Sequence, residues 1–116
     1  MKIIGKGLIT LNAEAEGEVC KIINVQDVVK LWKAGAKGKI AMVDDAGVTY
    51  LGPILPKLAG IVCRSGGLGS HLAIVSREFS IPALMGTDID CEEDLHGKKV
   101  RIRPDGGKSG ILMLCD

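Results

Sequence analysis

The stretch IVCRSGGLGSHLAIVSREFSIPALMG, residues 61–86, sets three kinds of segment in a row. Ile61-Val62-Cys63 is a short apolar run with the character of a buried strand. Arg64-Ser65-Gly66-Gly67-Leu68-Gly69 follows as a glycine-rich loop. Ser70-His71 then opens an amphipathic segment that runs to Phe79, and Ile81-Pro82-Ala83 begins the next strand. The first amides of a helix have no intrahelical acceptor, so a junction of this kind favours negative charge, phosphate in particular. His71 stands just inside that junction, and we read it as the candidate carrier of a phosphoryl group.

A nucleophilic imidazole has to be neutral, and an ordinary histidine, with a pKa of about 6.5, is mostly neutral at pH 7. Once phosphorylated it carries added negative charge, which needs donors already in place. The backbone amides from Gly67 to Leu72 are expected to supply them, helped by the positive end of the helix dipole. Gly66, Gly67 and Gly69 keep the loop bare, so another protein's nucleotide site can approach closely. Ser70 can cap the helix or donate its hydroxyl to a phosphate oxygen, and Ser65 belongs to the same phosphate-binding loop. Arg64 is the nearest guanidinium in sequence and the candidate for a two-point phosphate clamp. The structural alternative is a surface or capping histidine after an ordinary glycine turn.

Outward from this centre the spacing predicts a helix over 70–79, with Leu72, Val75 and Phe79 on its inner side and Arg77 and Glu78 toward water. Arg77 and Glu78 lie about 9–10 Å along that helix from His71, too far for phosphate contact. They are better read as structural ties to neighbouring loops or as docking contacts. Strands are expected over 3–11, 17–23, 39–43, 60–63 and 81–85. Asp27 is a candidate cap for a helix carrying Val28, Val29, Leu31 and Trp32, which ends in Gly35-Ala36-Lys37-Gly38. A short helix over 53–58 would turn Ile54, Leu55 and Leu58 inward. Residues 100–103 and 110–114 flank the turn Pro104-Asp105-Gly106-Gly107 and read as a hairpin. Pro82 is expected to fix the turn into its strand. The sum is one α/β domain over residues 1–116.

Composition narrows the chemistry. Apolar residues are 47% of the 116 and aromatics only 3%, so the core is aliphatic and a base-stacking nucleic-acid surface is not expected. A formal charge of +1 gives no general attraction to polyanions, so phosphate binding has to be local. Cys20, Cys63, Cys91 and Cys115 form no C-x-x-C pair, which suits neither a zinc ribbon nor a disulfide framework, and no metal site is assigned. Cys63 is read as structural and His96 as exposed. With no apolar run of membrane-spanning length and no signal-peptide pattern, a reduced, soluble, cytoplasmic protein is expected. Gly106-Gly107-Lys108-Ser109 has the last letters of a nucleotide-binding loop but falls in a hairpin turn. Gly67-x-Gly69 lacks the third glycine of a dinucleotide fingerprint, Leu72 standing in its place.

Residues 59–86 resemble the phosphohistidine swivelling domain of the phosphoenolpyruvate-utilising enzymes, which include phosphoenolpyruvate synthase and pyruvate phosphate dikinase. The likeness rests on Gly66-Gly67, Ser70-His71, Ala73-Ile74, Arg77-Glu78, Ile81-Pro82-Ala83 and Gly86, all in matching register. Gly7 through Gly17-Glu18-Val19 looks like the family's opening hairpin, and Leu95-His96-Gly97-Lys98-Lys99-Val100 onward like its closing one. The resemblance implies a mobile β/β/α domain, a barrel-like sheet with flanking short helices. It also implies that His71 shuttles phosphate between two partner sites. One would be an ATP-grasp-type nucleotide-binding subunit, the other a barrel subunit holding phosphoenolpyruvate or pyruvate. Mg²⁺ and ATP or phosphoenolpyruvate would then be bound by the partner, and no cofactor by this chain. No nucleic-acid or membrane partner is implied.

The chain also departs from the family pattern. Gly69 replaces a threonine two residues before the histidine, Cys63 replaces the threonine that ends the strand, and Arg64 replaces an acidic residue. Leu72 replaces an alanine and is expected to make the face beside His71 bulkier. The leading expectation is a stand-alone phosphoryl carrier, a phosphotransferase component that works with partner subunits. The alternative is a non-catalytic regulatory or docking subunit with a degenerate site. A third reading is a domain that closes over the active site of a dehydratase or similar enzyme.

Overall fold

The computed structural model describes residues 1–115 and shows seven strands closed into a barrel. The strands are β1 (Lys2–Ile9), β2 (Ala15–Lys21), β3 (Ile40–Val43), β4 (Gly60–Cys63), β5 (Ala83–Ile89), β6 (Lys99–Pro104) and β7 (Ser109–Leu114). Around the barrel they run β1-β5-β4-β3-β2-β6-β7. Two helices flank it, α1 (Val25–Ala34) and α2 (His71–Glu78), with a 3₁₀ turn at Leu55–Lys57. This is the expected α/β barrel with short helices.

The wall is parallel from β2 through β3 and β4 to β5, and antiparallel elsewhere. Each of β3 and β4 is buried along its whole length, as strands covered on both faces must be. Alternation divides their side chains between two cores. Ile40, Met42, Val62 and Leu84 join Ile4, Val19, Val100, Ile102 and Leu112 in a cluster fed by all seven strands, the barrel interior. Ala41, Val43, Ile61, Cys63, Ala83 and Met85 face outward, where Val28, Leu31, Ile54, Leu55, Leu72 and Ala73 cover them. Ile54, Leu55 and Leu58 are buried as expected, although only three residues of that segment are helical.

Four local expectations need correction. The segments at 2–9 and 15–21 are strands, but they form no opening hairpin, because β1 pairs with β5 and β7 while β2 pairs with β3 and β6. In the closed barrel β1 lies between β5 and β7 and β2 between β3 and β6, so the two are never neighbours. Helix α1 starts earlier than expected. Asn24 is the cap, and Asp27 closes a capping box by accepting from the Asn24 amide at 3.3 Å. Phe79 is 45% exposed rather than inward, because α2 ends at Glu78 and Ser80, at φ 57°, turns the chain away. The inner face of α2 is Leu72, Ala73 and Ser76. Ser76 is a polar residue the apolar pattern passes over, and its hydroxyl is satisfied by the Ala73 carbonyl at 2.8 Å and Thr10 Oγ1 at 3.3 Å. Finally, Leu72 is 1% exposed, so its bulk goes into the core and not onto the face beside His71.

Candidate functional site

Residues 64–70 leave the C-terminal end of β4, part of the parallel wall, and lead into α2. In sheets with parallel strands, ligands gather beyond the carboxyl ends. The loop is clasped at its start. The Ser65 carbonyl accepts from the Gly86 amide at 3.0 Å, and Ser65 Oγ accepts from the Ala46 amide at 3.0 Å. Gly66 has φ 75°, and a Cβ there would collide with the Ala46 Cβ. Gly86 has φ 56°, and a Cβ on it would lie 2.9 Å from the Gly66 carbonyl oxygen. Both positions therefore require glycine, for their backbone angles and for the closeness of β5 to the loop.

Beyond Gly66 the loop is open. Nothing lies within 4 Å of where a Cβ on Gly67 or Gly69 would sit. Two side chains tie this span. Ser70 Oγ donates to the Gly67 carbonyl at 2.7 Å, which the Ser70 amide also reaches at 3.1 Å. The guanidinium of Arg77 donates to the Leu68 carbonyl at 2.8 Å. Ser70 thus occupies the N-cap position without using its side chain as a cap, and Arg77 ties a neighbouring loop.

His71 is the first residue of α2 and is exposed. Of the amides expected to be free, that of Leu72 is taken by the Ala46 carbonyl at 3.0 Å and that of Ser70 by Gly67. Among the described residues, the amides of Gly67, Leu68, Gly69 and His71 donate to no partner. The junction therefore combines a reachable imidazole with unpaired N–H groups at a helix start, an arrangement suited to anionic oxygens.

Arg64 is exposed. Its side chain lines a depression with Lys21, Ile22, Ile23, Met42 and Asp44, at the ends of β2 and β3. Cys63 is fully buried, its sulfur 3.9 Å from Ser65 Oγ, and burial pushes its thiol above the ordinary range. It stays protonated at neutral pH. Two roles escaped the sequence reading. Ala46 holds both Ser65 and the Leu72 amide, and Gly86 holds the Ser65 carbonyl. The glycine at 86 was visible in the motif, but nothing local signals the role of Ala46. Among the described residues, no three His, Cys, Asp or Glu side chains gather around one ion. No helix there is long and apolar enough to cross a membrane.

Comparison with known proteins brings the same segment forward. Residues 35–107 match the family described as "PEP-utilising enzyme, mobile domain". The chain is 28% identical over 111 residues to a phosphoenolpyruvate synthase of Aquifex aeolicus, covering 96% of this chain and 12% of that protein. A probable phosphoenolpyruvate synthase of Archaeoglobus fulgidus is 32% identical over 111 residues, with 96% and 14% covered. Chondramide synthase of Chondromyces crocatus is 32% identical over 108 residues, with 93% and 3% covered. The chain thus spans a small part of the length of these relatives. Among solved structures, the muramoyltetrapeptide carboxypeptidase of Oxalobacter formigenes superposes with a TM-score of 0.55 at 15% identity. That match covers all of this chain and 51% of the other, a likeness of fold alone.

Proposed function

The chain belongs to the mobile-domain family of PEP-utilising enzymes, and on that premise we propose that it carries a phosphoryl group on His71 between partner-held sites. The observation behind this reading is the exposed imidazole at the start of α2, beside backbone amides that have no acceptor. A ring nitrogen of His71 attacks the phosphorus of a donor. The bond from phosphorus to the leaving oxygen breaks, and that oxygen keeps the electron pair. In the second half the acceptor's oxygen attacks the same phosphorus, the phosphorus–nitrogen bond breaks, and the imidazole is regenerated.

This chain's part is to present the nucleophile and to hold the transferred oxygens by amides that need no rearrangement. Phosphoryl transfer depends on positioning and charge stabilisation, so a small domain can perform its half when partners hold the phosphate in line. The donor is assigned to a nucleotide-binding subunit or domain of ATP-grasp type and the acceptor to a barrel that takes pyruvate, or the reverse with phosphoenolpyruvate. Mg²⁺ is assigned to those partners, which hold the nucleotide or phosphoenolpyruvate whose phosphates it accompanies.

Mixing the protein with the donor subunit should place an acid-labile, alkali-stable phosphate on it, and His71→Ala should remove that label entirely. Label that persists in the variant would defeat the proposal. The competing reading, a docking subunit that is never phosphorylated, draws on the absence of a hydroxyl at Gly69 and Cys63. His71→Gln separates the two: turnover of the assembled enzyme is lost under the first and unchanged under the second.

A further inference from the structure

The open span of the glycine loop is lightly packed at its two glycines. Gly67 and Gly69 touch nothing where a side chain would begin, and glycine adds the greatest backbone freedom of any residue. A peptide unit is planar and trans, so fixing the direction of its carbonyl fixes the N–H of the next residue in the opposite direction. The Gly67 carbonyl is held by Ser70, which sets the Leu68 N–H. The Leu68 carbonyl is held by Arg77, which sets the Gly69 N–H. Neither N–H has a partner among the described residues.

We propose that Arg77 is a positioning residue: its bond to the Leu68 carbonyl turns the Gly69 N–H outward as a donor to the phosphoryl group on His71. This rests on the carrier reading above. Arg77 stands six residues beyond His71 and acts through the backbone of the loop, without touching the phosphate itself. The arrangement also bears on the lack of a hydroxyl at position 69. In place of a side-chain donor, the chain presents a main-chain donor whose direction is set from the far end of α2. Arginine suits the task, since its guanidinium stays charged and a charge-assisted bond to a carbonyl is stronger than a neutral one.

The probe is potassium phosphoramidate, which phosphorylates imidazole directly. A ring nitrogen attacks phosphorus, the bond from phosphorus to the amine nitrogen breaks, and ammonia leaves with the proton shed by the ring. Amide ¹H–¹⁵N spectra and the pH titration of the ³¹P resonance are recorded for the wild type, Arg77→Met and Arg77→Lys. Methionine keeps an apolar stem without a donor, and lysine restores a charged donor group.

In the wild type the Gly69 amide proton should move downfield on phosphorylation. In Arg77→Met that response should vanish while the Leu68 response persists. The ³¹P midpoint should rise by about half a pH unit, a roughly threefold weaker preference for the dianion. Arg77→Lys should recover a large part of both. A Gly69 response unchanged in Arg77→Met would overturn this inference and leave the carrier reading standing. So would a general loss of dispersion in Arg77→Met, since Arg77 would then be a folding residue, or a failure of Arg77→Lys to recover. Wild-type protein that takes no label on His71, from phosphoramidate or from the donor subunit, would overturn both.

Discussion

Two walls of the barrel are held by different physics. The wall of β3, β4 and the first three residues of β5, which ends in the His71 loop, is buried on both faces and packed between two aliphatic clusters. The antiparallel pair of β2 and β6 carries an outer face laced with charge. Glu16 meets Arg101 at 2.9 Å and Lys99 at 3.5 Å, Glu14 meets Arg103 at 3.5 Å, and Glu18 meets Lys39 at 2.7 Å. Exposed pairs of this kind contribute little and are screened by salt, whereas buried aliphatic contacts are neither titratable nor screened. The loop that presents His71 therefore grows from the part of the molecule least sensitive to pH and salt, and its one soft span is the stretch from Gly67 to Gly69.

The contrast is tested most severely at Ile61, fully buried between β4 and the helices. Ile61→Ala should cost about 2–5 kcal/mol in urea unfolding, far more than Glu16→Gln on the charged wall. Equal losses would erase the distinction. Next comes the clasp of the loop. Gly66→Ala forces a Cβ into positive φ against Ala46 and should destabilise by about 1–3 kcal/mol, while Gly69→Ala, with open space around it, should change the melting temperature little. A Gly69→Ala loss as large as that of Gly66→Ala would show the soft span to be packed after all.

The smallest effect is the titration of the charged wall and its neighbouring loop. The hydrogen bond from Arg101 holds the Glu16 carboxyl below its usual range, that from Lys39 does so for Glu18, and the His96 amide does so for Asp94. Folded values below the unfolded ones stabilise above the ordinary 4.5 of glutamate and 3.8 of aspartate. That stability is lost as pH falls through the lower folded values. Lys39, raised by Glu18, behaves oppositely: its contribution is full below 10.5 and disappears as pH rises through its higher folded value. Melting temperature followed from pH 6 to about 3 should therefore fall, and the double variant Glu16→Gln, Glu18→Gln should flatten the curve. Amide signals of β4, residues 60–63, that loosen before those of β2 and β6 would contradict the contrast from the acid side.

Much of the site was legible in local sequence. A strand, a glycine loop and an N-terminal helix histidine are short-range patterns, and each stands where the spacing placed it, whereas the strand expected over 81–85 starts only at Ala83 and runs on to Ile89. What escaped was whatever depends on distant partners. The exposure of Phe79 follows from where the helix stops against the core, whereas the burial of Leu72 was legible in the helical spacing. The helix cap at Asn24 was displaced because Asp27 is an equally good capping residue in sequence, and only the reciprocal bonds show which one leads.

The residue order by itself determined the elements, the aliphatic core and the loop–helix junction that singles out His71, because backbone propensity and apolar period act over a few residues. Apart from the β6–β7 hairpin, which its turn residues announce, tertiary structure alone decided which strands meet, how the barrel closes through β1 and β7, and which loop amides remain free. Those outcomes depend on groups far apart in the chain: Ala46 against Ser65, Gly86 against the Ser65 carbonyl, and Arg77 against a carbonyl nine residues before it. Hydrogen bonds of that reach leave no periodic trace in a sequence, since each is settled only when packing has fixed both partners in space.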